Sequence, residues 1–276
     1  VVAGMHNIED IELQLLLEAI YLKYGYDFRD YARASVKRRL THRLALSGLQ
    51  SFSEMQHVAL RDQQYFEQIL LDLSINVTEM FRDPSFYRAL RSEIIPVLKT
   101  YPFIKIWHAG CASGEEVYSM AILLLEEKMY NRCQIYATDF NEVVLQQAQE
   151  AIYPVEKMKQ YSTNYLLAGG KYSLADYYTA SYNLAILHQE LKKNILFAAH
   201  NLVTDGAFGE MHLIMCRNVL IYFNKELQSR VVKLFADSLC RQGFLCLGSK
   251  ESLRFSPYAD FFEEVVPHEK IYRKKI

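Results

Sequence analysis

Lys105-Ile106-Trp107-His108-Ala109-Gly110-Cys111-Ala112-Ser113-Gly114-Glu115-Glu116-Val117-Tyr118-Ser119 is the stretch whose reading decides the fold. An apolar run of strand character breaks into a loop with two glycines, and apolar residues at helical spacing (Tyr118, Ala121, Ile122, Leu125) follow at once. A strand, a glycine loop and a helix N-terminus in succession form a crevice for a nucleotide. The glycines let a ligand approach the backbone, and free N–H groups with the positive end of the helix dipole favour an anion. This loop, however, is Gly-x-x-x-Gly rather than G-x-G-x-x-G, and Glu115 and Glu116 stand where a pyrophosphate would sit. Two carboxylates repel a phosphate strongly at short range in low dielectric. A cationic nucleoside fits better: S-adenosylmethionine brings an adenosine, a sulfonium and an ammonium, and no phosphate. The same acids would equally complement the helix dipole on a solvated turn.

Downstream, Gln134 to Thr138 reads as a second strand ending in Asp139. An acid at the carboxyl end of that strand is where doubly wound folds hold the two ribose hydroxyls; by itself it would be an N-cap for a helix from Glu142 to Ala151. Tyr153 to Asn194 is rich in tyrosine, turns at Gly169-Gly170 and alternates like short antiparallel strands. It reads as an inserted subdomain, either a docking surface or an extension of the core. The αβ pattern resumes with a strand at Ile195 to Ala199, followed by His200-Asn201-Leu202. A strongly apolar strand, His212 to Cys216, then runs into Arg217-Asn218, a polar pair placed to face a ligand at the carboxyl edge of a sheet. A helix from Lys225 to Leu239 and strands around Phe244 to Leu247, Phe262 to Val266 and Ile271 to Tyr272 complete the pattern.

Upstream, Ile8 to Leu73 is helical throughout. Ile11, Leu15 and Leu22 mark the apolar face of a first helix that stops near Gly25. A second helix, from about Tyr31 to Leu46, carries Arg33, Lys37, Arg38, Arg39, His42 and Arg43 on one face, either as a solvated face or as a docking patch. Ser51 or Ser53 caps a third, and Gln64 to Leu73 forms a fourth. Between the helical segments lies Ser74-Ile75-Asn76-Val77-Thr78-Glu79-Met80-Phe81-Arg82-Asp83-Pro84, irregular and polar, with an arginine beside an aromatic that is suited to pairing with a carboxylate.

With 276 residues, 51% of them hydrophobic and 23% charged, the chain can bury a sizeable core, and its net charge of −1 argues against nucleic acid as a partner. Cys133, Cys216 and Cys246 lie in apolar runs and read as core residues of a reduced, cytoplasmic protein. No Cys or His spacing suits a metal, and no apolar run is long enough to cross a bilayer.

Six stretches in order then resemble one family. They are Asn76 to Arg82, Ala109 to Ser119, Ala137-Thr138-Asp139, Asn201-Leu202, Cys216 to Phe223 and Leu247 to Leu253, and together they are similar to the bacterial chemotaxis receptor methyltransferases of the CheR type. The resemblance implies an all-α N-terminal domain at residues 1–73 and a linker at 74–92. It further implies a Rossmann-like α/β methyltransferase domain at 93–276 with a small antiparallel β insert at about 160–194. It implies S-adenosylmethionine as cofactor, S-adenosylhomocysteine as product, and glutamate methyl esters formed on the acidic methylation helices of receptors. By position Asn76, Thr78, Arg82, Gly110, Glu116, Asp139, Asn201, Leu202, Arg217 and Asn218 are the expected cofactor contacts. Arg82 and Tyr222 are the expected catalytic pair, and Arg33, Lys37, Arg38 and Arg43 the expected docking residues. His108 and Val117 depart from the family pattern, which carries a small polar residue and a proline there. The insert looks longer than in members that tether to a receptor's C-terminal peptide, which argues against such tethering. The competing readings are a related methyltransferase acting on another substrate and a non-catalytic module that senses the cofactor.

Overall fold

A computed structural model describes residues 7–74 and 78–275. The chain forms two compact units, residues 1–75 with 221–228, and 76–220 with 229–276.

The first unit is helical. α1 (Ile8–Tyr24) ends at Gly25, whose φ of 77° gives the left-handed C-cap that a side chain resists. α2 (Arg33–Ser47) ends the same way at Gly48. The Ser51 hydroxyl accepts from the Glu54 N–H to start α3 (Phe52–Ala59), and Asp62 caps α4 (Gln63–Leu73). The face of α1 chosen from periodicity is corrected here. Leu13, Leu16, Leu17 and Ile20 are buried, whereas Ile11, Leu15 and Leu22 are exposed. The helix is apolar nearly all round, so spacing alone fits either face. The returning segment 221–228 is stitched to this unit through its backbone: Ala32 N–H donates to Tyr222 O at 2.7 Å, Asn224 N–H to Asp30 O at 2.9 Å, and Tyr31 bridges Phe223.

The second unit is built on a seven-stranded sheet. Its strands are β1 (Ile104–Ala109), β2 (Cys133–Asp139), β6 (Ile195–Ala199), β7 (Met211–Cys216), β8 (Leu239–Leu247), β9 (Phe262–Val266) and β10 (Ile271–Lys274), in the order β6-β2-β1-β7-β8-β10-β9. The first five in that order run parallel, and β10 is antiparallel to both its neighbours. β1 is central and almost wholly buried, which is why it reads as a continuous apolar run. α7 (Glu115–Glu126) and α8 (Glu142–Glu150) follow β1 and β2. α10 (Lys225–Ser238) leads into β8.

Part of the expected linker is helical. α5 (Pro84–Ala89) passes through a π turn at Leu90–Ile94 into α6 (Ile95–Leu98). Pro96 lacks an N–H and its ring crowds the carbonyl four residues back, so the helix widens just before it. The small sheet joins β3 (Ile152–Pro154), β5 (Leu184–Leu187) and β4 (Tyr178–Ser181), all antiparallel, and α9 (Met158–Leu167) lies between β3 and β4. The insert therefore takes its first strand from upstream of residue 160 and includes a helix. Most of its tyrosines are packed inward: Tyr153, Tyr161, Tyr165 and Tyr177 belong to the same core as β1 and α7, while Tyr172 and Tyr182 are exposed.

Candidate functional site

The glycine loop is held in shape from three sides. Gly110 and Cys111 donate their N–H groups to Thr138 O at 2.8 and 2.9 Å. The Tyr153 hydroxyl donates to Ser113 O at 2.8 Å. Asp139 Oδ2 accepts from the Ala112 N–H at 3.0 Å. Two glycines have no substitute here. Gly110 has a φ of 79°, and a Cβ would stand 2.7 Å from Val219 Cγ2; Gly114 has a φ of 90°, and a Cβ would stand 2.9 Å from that of Ala148.

Asp139 ends β2 nearly buried, its other oxygen accepting from the Asn141 N–H at 3.0 Å. Burial pushes its carboxyl up, and the N–H donors of Asn141 and Ala112 offset that only in part. It is not the N-cap of α8; Asn141 is, with its Oδ1 accepting from Val143 N–H at 3.0 Å. Each carboxylate oxygen can accept a second hydrogen bond, and a vicinal diol supplies two such donors.

The two acids of the α7 first turn part company. Glu115 turns away toward the insert, where it accepts from Ser113 Oγ at 2.7 Å and from the Tyr161 hydroxyl at 3.3 Å. Burial raises its pKa. Glu116 lies between His108, whose Nδ1 is 3.2 Å from Oε1, and Arg217, whose Nη1 is 3.0 Å from Oε2. Burial pushes the Glu116 carboxyl up, but the His108 and Arg217 partners more than cancel this, and it is held below the usual range. Arg217 continues the chain of charges to Asp83 at 2.6 Å and stacks over the Phe86 ring at 4.0 Å. A freely solvated first turn is thereby excluded: Glu115 is buried, and Glu116 keeps 19% of its side chain exposed while held by two buried partners.

Arg82 is presented by a strained segment. The residues on either side of it, Phe81 (φ 52°) and Asp83 (φ 56°), are left-handed without being glycine. The strain is held by buried contacts: Phe81 N–H donates to Ser119 Oγ at 2.8 Å, and Asn164 Nδ2 donates to Met80 O at 3.1 Å. Thr78 begins the described part of this segment, and Asn76 lies outside the described residues.

Other expected residues are placed as follows. His200 N–H donates to Asp139 O at 3.1 Å, which brings Asn201 and Leu202 next to the end of β2. Asn201 shapes its own turn through an Oδ1 that accepts from Val203 N–H. Asn218 is left-handed (φ 62°), and its N–H donates to Glu251 Oε2 at 2.9 Å; the same oxygen accepts from Gly248 N–H. Tyr222 belongs to the first unit, with the guanidinium of Arg39 over its ring at 5.5 Å, so the expected catalytic pair is carried by different units. On α2, Lys37 pairs with Glu9 and Asp10, Arg43 with Asp72, and Arg33 donates to the Asp10 carbonyl. Arg38 and His42 are exposed. Three buried or bridging acceptors escaped the reading of the sequence: Asp83, Glu251 and Ser119. Glu251 lay inside a quoted stretch, but only the structure reveals that it clamps the ends of β7 and β8.

Comparison with known proteins agrees with this geometry. Residues 76–266 match the CheR methyltransferase SAM binding domain, and residues 11–74 the CheR methyltransferase all-alpha domain. A Pseudomonas putida protein named as methyltransferase Cher3 is 53% identical over 96% of this chain and 97% of its own length. The chemotaxis protein methyltransferase of Borreliella burgdorferi is 30% identical over 90% of each chain, and chemotaxis protein methyltransferase 2 of Vibrio cholerae is 30% identical over 89% of this chain and 87% of its own. No helix among the described residues is long and apolar enough to cross a membrane. With a glycine loop flanked by carboxylates on this sheet order, and with both family domains matched along the chain, the protein belongs to the CheR family of S-adenosylmethionine-dependent methyltransferases.

Proposed function

We propose that this protein forms glutamate γ-methyl esters on the acidic methylation helices of chemotaxis receptors. The observation that carries the reading is the Glu116 carboxylate, ionised and held between His108 and Arg217 beside the glycine loop, where it suits an ammonium and not a phosphate. Bound S-adenosylmethionine supplies a methyl group on a positively charged sulfur. Glu116 then holds the amino-acid end by its ammonium, and Asp139 holds the ribose hydroxyls at the end of β2. Thr78, Asn201, Leu202, Arg217 and Asn218 complete the walls of the crevice.

No general base is required of the protein. A receptor glutamate with an ordinary pKa of about 4.3 is already a carboxylate at neutral pH and can attack directly. What the chain contributes is alignment: Arg82 pairs with the incoming carboxylate and fixes its line of approach at roughly 3 Å. The left-handed residues flanking Arg82 support this role, because such strain persists where the surrounding structure imposes one conformation. The exposed basic residues of α2, Arg33 and Arg38 foremost, steer the acidic helix, and Lys37 and Arg43 add what their internal ion pairs leave over.

The test is incubation of the full chain with methyl-labelled cofactor and receptor-bearing membranes, followed by base treatment and capture of volatile methanol. Label released by base from the receptor band is expected, and Arg82→Ala should abolish it. Label that survives base, or that appears only in small molecules or RNA, would replace this reading with another methyl acceptor.

A further inference from the structure

We infer that His108 is a positioning residue for the cofactor's amino-acid end, its imidazole holding the Glu116 carboxylate turned to the crevice. The inference rests on the reading of Glu116 given above. His108 lies in the middle of the sheet, in register with Ala137 of β2 and Met215 of β7. Its side chain is 1% exposed and that of Arg217 2%, whereas Glu116 between them keeps 19%. The two partners therefore stand behind the carboxylate, and the carboxylate is the open member of the trio.

The ring also has a defined proton. Nδ1 is 3.2 Å from Glu116 Oε1, and Nε2 is buried with no hydrogen-bond partner among the described residues. A proton on Nδ1 donates to the carboxylate and leaves a bare lone pair at Nε2. A proton on Nε2 alone would bury an unpaired N–H and set a nitrogen lone pair against a carboxylate oxygen, which costs twice over. His108 thus presents an Nδ1–H donor to the Glu116 carboxylate. Arg217 alone grips one oxygen and lets the carboxylate pivot about that contact. A second donor on the other oxygen fixes its plane, as outer partners fix the ligands of a binding site.

The test compares two probes by calorimetry on the full chain: S-adenosylhomocysteine, and 5′-methylthioadenosine, which keeps the adenosine and sulfur but lacks the amino-acid end. In His108→Leu, affinity for S-adenosylhomocysteine should fall about tenfold or more, by analogy with lost outer partners elsewhere, while methylthioadenosine binds as before. His108→Asn, which keeps a donor near the Nδ1 position, should recover most of the loss. Unchanged affinity for S-adenosylhomocysteine in His108→Leu, or an equal loss for both probes, overturns the inference. Glu116→Gln separates the two levels. If it too fails to distinguish the probes, the reading of Glu116 falls and takes this inference with it. If it distinguishes them and His108→Leu does not, only the role of His108 is lost.

Discussion

On α2, Lys37, Arg38 and Arg43 stand at or near the surface of the helical unit; at the end of β7, Arg217 is sealed under Phe86 between Glu116 and Asp83. Both places gather positive charge, yet water separates their physics. Near the surface each ion pair contributes about 0–1 kcal/mol and weakens with salt. Inside, Arg217 and Glu116 have lost most of their hydration while Asp83 keeps 40% of its side chain exposed, so removing Arg217 strands chiefly Glu116, at about 3–5 kcal/mol. The surface set can tune an encounter, whereas the buried set fixes a geometry.

The largest expected effect comes from breaking the buried set. Arg217→Met leaves Glu116 and Asp83 without their guanidinium, and urea denaturation should show a loss of about 3–5 kcal/mol together with loss of cofactor binding. A variant as stable as the parent would erase the contrast. Next is Asp139→Ala, which removes the proposed ribose acceptor and the clamp on Ala112. Calorimetry should show about 30-fold weaker cofactor binding, about 2 kcal/mol; unaltered affinity would remove Asp139 from the cofactor contacts.

A smaller effect is expected at Glu115, with a sign opposite to the first. Its folded-state pKa is raised above the ordinary value of 4.5 by burial, so its ionised form costs stability. That cost is absent below pH 4.5 and complete once the pH has passed the folded-state value. Glu115→Gln should therefore raise the thermal midpoint by a few degrees at pH 8 and leave it level at pH 4, with cofactor affinity unchanged. A drop at pH 8 would mean that the Ser113 and Tyr161 bonds outweigh the buried charge. The smallest effects belong to α2. Arg38→Glu should raise the Michaelis constant for receptor helices a few-fold at low salt, fading at high salt, and Lys37→Ala should do less, because Glu9 and Asp10 already engage its ammonium. Equal effects from both would show that internal pairing does not mute a surface cation.

Much of this was legible in the sequence where local pattern and tertiary role coincide. β1 and β7 are buried on both faces, so they appear as unbroken apolar runs, and Gly25, Gly48, Gly110 and Gly114 sit where φ is positive. What escaped depends on partners distant along the chain. Glu115 and Glu116 are adjacent and identical in type, and nothing local says that one meets Tyr161 while the other meets Arg217. α1 could have buried either side, and the choice fell to its packing against α3. Phe81 is left-handed although its residue type gives no warning of positive φ, and Asp83, a type that visits that region more readily, gives only a weak one.

The stitching of residues 221–228 into the helical unit has a consequence for protein engineering. A cut after residue 75 would not excise a module, because the truncated remainder would still contain Tyr222, Phe223 and Asn224 with their main-chain partners at Asp30, Tyr31 and Ala32 deleted. Chimaeras between relatives must therefore exchange both pieces as a matched set, and a family of this design is expected to drift as one inherited block rather than by shuffling its front end.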